Sequence, residues 1–307
     1  MENPTTITPV QQPFLDLSNF GRNEWYRYLI TIFIVFMFWQ VIGGIPYVIL
    51  YAFGKTSEQL PAYLALNFTF IAMLVGLWIS MRGVHQRSLL SLISPNSRIQ
   101  WSRIILAAAI WLGITTFITM IDAWMHPGSY QLTFQWGKWL PFSLLALVFT
   151  SIQTSAEEIL FRGYFLQGMA RITRNGTILC VLSGVIFAVP HFLNPEMEID
   201  FLLLALFYFS FGVFLGWITL RSQSLEFALG VHAANNLFSV IIANYEGSAL
   251  PSPSMFTAFS LDPLFSPVSF IAGALVFAAG MLMFFPEMIK PTVPQSQNAA
   301  DEQKKPS

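Results

Sequence analysis

Apolar runs long enough to cross a lipid bilayer recur along this chain, and they restrict its fold more than any other feature. A bilayer core is spanned by about 20 apolar residues in a helix, because every backbone polar group must be satisfied inside the segment. Eight such segments can be read: residues 25–53, 60–81, 104–124, 139–169, 177–193, 201–220, 227–245 and 268–285. Only 10% of the 307 residues are charged, against about 25% in an average soluble protein. The pattern predicts an all-α, polytopic membrane protein of about eight transmembrane helices, with any site in a cavity inside the bundle. The fifth segment is short and holds Pro190, and the seventh is partly polar, so a stricter count gives six or seven.

Charge decides between these counts. With the N-terminus inside, the intervening segments place 13 of the 15 Lys and Arg residues on the inner side, leaving Lys55 and Lys138 outside. The inner set runs from Arg22 and Arg27 through Arg82, Arg87, Arg98 and Arg103 to Arg171, Arg174, Arg221, Lys290, Lys304 and Lys305; Arg162 is counted with it, although it falls within a helix. Eight spans with both termini cytoplasmic satisfy the positive-inside rule. The acidic loop residues Glu196, Glu198, Asp200, Glu246 and Asp262 then lie outside.

The polar start, residues 1–24, reads as a cytoplasmic tail, and its polarity and the length of the first span argue against a cleaved signal peptide. Residues 290–307 are expected to be a disordered cytoplasmic tail. The net charge of -1 suggests no nucleic-acid partner, and Cys180, the single cysteine, cannot form an internal disulfide.

Ionisable side chains at membrane depth are costly and mark function by default. Three groups stand out. Glu157, Glu158 and Arg162 lie on the fourth span, Phe187, Pro190 and His191 on the fifth, and His232, Asn235 and Asn236 on the seventh. Adjacent helical carboxylates point about 100° apart, so Glu157 and Glu158 are not expected to face one partner. Arg162, four residues after Glu158, can pair with it and leave Glu157 as a base. Pro190 should kink the fifth span and open the turn around His191. His232 and Asn236 share a helix face, with Asn235 turned away. One carboxylate, two imidazoles and an amide are the inventory for activating a water and holding an oxyanion: Glu157 with His191 for the first, His232 with Asn236 for the second.

The series Glu-Glu-x-x-x-Arg, Phe-x-x-x-His and His-x-x-x-Asn, in this order between Thr150 and Ser239, resembles the CPBP family of CAAX-processing and bacteriocin-processing (Abi) membrane proteases. The resemblance implies an eight-helix transmembrane protease domain over residues 25–289, with its core at 139–245. It implies catalytic Glu157, His191, His232 and Asn236, supported by Glu158 and Arg162; the pairing of a carboxylate with Arg162 suits a site that uses no cofactor. Its substrate would be a peptide or a membrane-tethered protein, met in a bacterial inner or plasma membrane. A leader peptide, bacteriocin or signalling protein fits that setting better than a prenylated one.

Other readings are weighed beside it. Two histidines and a glutamate are plausible zinc ligands, but His-Glu-x-x-His is missing. A membrane immunity or binding protein could retain the pocket without catalysis, and a transporter could use the same buried groups as a proton or ion relay. His85, His126, Asp122 and Asn67 fall alone or at helix ends and are weaker candidates. Trp25, Trp101, Trp124, Trp136 and Trp139 suit interfacial belts. Oligomeric state is not readable.

Overall fold

The computed structural model describes residues 13–96, 98–259 and 261–286. Residues 1–12, and the expected tail with Lys290, Lys304 and Lys305, lie outside the described residues.

Six helices are long and apolar enough to cross a membrane: α1 (Trp25–Ala52), α2 (Gln59–Val84), α3 (Trp101–Met125), α4 (Trp136–Met169), α6 (Phe201–Ser222) and α8 (Phe265–Phe284). Between them lie two shorter apolar helices, α5 (Gly176–His191) and α7 (Glu226–Ile242). The molecule is a polytopic helical membrane protein. Its lipid-facing surface is apolar: Leu29, Phe33, Ile105, Phe117, Leu147 and Val276 are all exposed, as a bilayer allows and water would not. Trp25, Trp101, Trp124 and Trp136 are exposed near helix ends, whereas Trp139 turns inward and donates its Nε1–H to the Ile241 carbonyl at 2.9 Å.

Local chemistry sets the helix ends. Asn175 caps α5 by accepting from the Ile178 amide at 3.1 Å, and Asp200 caps α6 by accepting from Leu203 at 3.0 Å. Gln223, in the left-handed region at φ 55°, ends α6 and lets the chain turn straight into α7. Pro190 is expected to kink the fifth span and open the turn around His191. Helix α5 runs through Pro190 and stops one residue later, so the missing N–H falls in the last turn of the helix.

The bundle has two dissimilar ends. At the basic end the N-terminal turn Pro13–Asp16 is packed in, with Phe14 and Leu15 fully buried and the Phe14 amide donating to Gln223 Oε1 at 3.2 Å. Arg171 donates to the Ser18 carbonyl at 3.0 Å, Arg174 pairs with Asp16 at 2.9 Å, and Arg87 donates to Gln167 at 2.7 Å. These links join residues 13–24 to the loop after α4 and to the turn between α6 and α7, and the loop after α2 to the end of α4. The opposite end carries a small sheet that the apolar pattern did not signal: β1 (Tyr130–Leu132) antiparallel to β3 (Phe256–Ala258), and β3 parallel to β2 (Ala243–Tyr245). Residues 243–245, expected to finish the seventh span, are therefore strand.

Candidate active site

Helix α4 carries both carboxylates deep into the bundle and then passes into a π-helical turn, Ile159–Phe165, that holds Arg162. Such turns disturb the regular ladder and recur at functional sites. Glu157, Glu158, Arg162 and His232 are all buried. Arg162 donates to Glu158 Oε1 at 2.7 Å and lies 4.2 Å from the centroid of the Phe187 ring.

The two carboxylates do share a partner, contrary to the expectation from their helical angle. His232, arriving from α7, stands between them. Its Nδ1 is 2.7 Å from Glu158 Oε1 and its Nε2 is 3.6 Å from Glu157 Oε2. An imidazole has two nitrogens on different edges, so one ring can meet two side chains that diverge from their own helix. The Glu158 carboxylate only accepts, so Nδ1 carries the proton it donates. The 3.6 Å gap on the other side is too long for a hydrogen bond, and Glu157 Oε2 is buried without a hydrogen-bond partner among the described residues.

His191 ends α5 beside them. Its Nδ1 donates to the Phe187 carbonyl at 2.7 Å, which leaves Nε2 as the lone-pair nitrogen of the neutral ring. The ring sits between Phe187 and Tyr208, with centroids 4.4 and 4.3 Å away. Asn236 is set by a relay: Trp111 Nε1 donates to Asn235 Oδ1 at 3.3 Å, and Asn235 donates to Asn236 Oδ1 at 3.2 Å. Asn236 thus keeps its own N–H groups. Asn235 is not turned away, because the cavity is wide enough to touch both residues.

That cavity, of about 1030 Å³, brings together Glu157, His191, His232 and Asn236. Glu158 and Arg162 lie behind it and do not line it. Gln153, one turn before Glu157, also lines it and is buried; as an isolated amide in an apolar helix it was detectable by the same rule that picked out Glu157. Tyr208 and Glu196 had no such signal. Glu196 is buried, accepting from the Tyr208 hydroxyl, from Asn194 at 3.1 Å and from the Ala249 amide at 3.2 Å.

The weaker candidates have other employment. His85 is tied to the Arg22 carbonyl and to Tyr164, and Asn67 donates to the Tyr63 carbonyl. Asp122 and His126 pair at 2.9 Å at the cavity mouth. Among the described residues, no three His, Cys, Asp or Glu side chains converge as a metal-binding group.

Comparison with known proteins agrees with the family resemblance. The family model described as type II CAAX prenyl endopeptidase Rce1-like matches residues 136–238, the stretch that carries all six named side chains. The chain is 30% identical over 280 residues to "Uncharacterized protein YyaK" of Bacillus subtilis (strain 168), covering 86% of this chain and 93% of that one. No solved structure matches. With a relative at this identity along nearly its whole length and the family model on the segment that builds the site, the chain belongs to the Rce1-like, type II CAAX prenyl endopeptidase family of membrane proteins.

Proposed function

We propose that this protein is an intramembrane endopeptidase that hydrolyses a peptide bond with Glu157 as general base. The observation that carries the reading is Glu157 Oε2, buried with no hydrogen-bond partner among the described residues, on a residue lining a cavity that also holds His191, His232 and Asn236. A buried acceptor without a donor is costly to keep, and a bound water would satisfy it. Glu157, with the Nε2 lone pair of His191 as second acceptor, takes a proton from that water. The hydroxide adds to the peptide carbonyl, and the proton then passes to the leaving amine as the C–N bond breaks.

The oxyanion formed in between needs donors aimed from fixed positions. Asn236 offers its N–H groups. With Nδ1–H of His232 held by Glu158, its Nε2 faces Glu157; the proton taken from the water, resting on Nε2 until it leaves with the amine, makes that ring a second donor. Glu158 and Arg162 are in this reading positioning residues for His232.

The test is cleavage of a quenched-fluorescent peptide library by detergent-purified protein, with Glu157→Ala and His191→Ala beside wild type, each with and without a zinc chelator. Removing the base should lower turnover about 10²–10⁴-fold, with the chelator indifferent. Activity lost to the chelator and restored by zinc would replace the mechanism with a metal-dependent one, and no cleavage by wild type would return the site to binding or transport.

A further inference from the structure

The geometry points to a catalytic cavity that is entered from the extracytoplasmic side of the membrane, so that the substrate is a peptide or protein segment presented on that side. This inference rests on the endopeptidase reading only for the word substrate; the direction of entry stands on other observations.

The first is where the cavity is closed. Among the described residues, none from 71–110, 158–186 or 212–231 lines it. Those segments build the basic end, where Arg87–Gln167, Arg171–Ser18, Arg174–Asp16 and the Leu225 amide on the Ile93 carbonyl at 2.8 Å lock the loops together over a packed floor. Below Glu157 the next turns of α4 are buried, through Tyr164. The second is where it opens. Its walls rise through His191 and Tyr208 to Asp122, Tyr130, Glu196 and Ser248, in the loops that surround the small sheet. The third is charge. The closed end carries Arg22, Arg82, Arg87, Arg98, Arg171, Arg174 and Arg221, whereas the sheet end has only Lys55 and Lys138 among the described residues, and neither lines the cavity. Cytoplasmic loops are the ones enriched in Lys and Arg, so the mouth faces away from the cytoplasm. A cytosolic protein with a C-terminal lipid would meet the closed end.

The test is site-directed cysteine labelling in intact cells, in a Cys180→Ala background, with a membrane-impermeant maleimide. Ser248→Cys reports the mouth and the exposed Glu246→Cys the sheet end beside it; Ile172→Cys, in a residue 90% exposed at the basic end, reports the other side. The two mouth cysteines should react in intact cells and Ile172→Cys only after permeabilisation. Mouth cysteines that react only after permeabilisation or not at all, or Ile172→Cys reacting in intact cells, would overturn the inference and leave the peptidase reading untouched. Conversely, labelling as expected from a protein that cleaves no peptide would retain the direction of entry and remove the chemistry.

Discussion

Arg162 is a fully buried guanidinium whose charge is met by one carboxylate, Glu158, which in turn holds His232. Removing one partner of such a pair leaves an uncompensated buried charge and costs about 3–5 kcal/mol, whereas replacing both by apolar groups of similar size costs far less. Thermal unfolding in detergent should therefore show Glu158→Leu and Arg162→Met each strongly destabilised, and the double variant less so than their sum. All three should lose peptide cleavage, because His232 loses the acceptor that orients it. Additive stabilities would mean that the pair is not coupled. The i, i+4 relation of Glu158 to Arg162 was legible in the sequence because it lies on one helix. That His232 stands between two adjacent carboxylates was not, since spacing along α4 fixes angles about its own axis and says nothing of where α7 enters. The same limit hid the Trp111–Asn235–Asn236 relay, which joins two helices.

Helices α5 and α6 meet where both lack a side chain. A Cβ on Gly212 would stand 2.7 Å from the Gly184 Cα and 3.0 Å from the Phe187 Cβ, and Phe187 packs on His191, Arg162 and His232. Small residues at such contacts let membrane helices approach closely. Overpacking costs about 1–3 kcal/mol, so Gly212→Ala should lower the melting temperature and weaken cleavage by pushing Phe187 into the site. Gly113→Ala on α3, where a Cβ meets nothing within 4 Å, should leave both unchanged; equal effects from the two would refute the argument. At this scale the sequence served well for the long helices, whose apolar length is a strong signal. It failed for the three-residue strands, which are too short for alternation to register.

The basic end closes the whole molecule, and one titratable group sits in its centre. His85 donates Nδ1–H to the Arg22 carbonyl at 2.8 Å, and its Nε2 accepts from the Tyr164 hydroxyl at 3.0 Å. Both bonds suit the neutral ring; a second proton on Nε2 would make the Tyr164 hydroxyl turn to accept and would place a buried charge beside Arg87 and Arg27. Burial, reinforced by the nearby Arg87 and Arg27 charges, holds the His85 imidazole below its ordinary value. A group whose folded value is depressed contributes stability above its unfolded value, near pH 6.5 for histidine, and loses it as pH falls through the lower folded one. The Arg22 amide also donates to the His85 carbonyl at 2.7 Å, so the N-terminal segment should be released as the ring is protonated. Hydrogen exchange of residues 13–24 in the detergent-solubilised protein should accordingly quicken between about pH 7.5 and pH 5, beyond the intrinsic trend. His85→Gln, which keeps a donor and an acceptor at that position, should flatten the dependence. A wild-type profile that is already flat, or protection that increases toward acid, would show that the segment is held by Phe14, Leu15 and the Arg171 and Arg174 contacts alone.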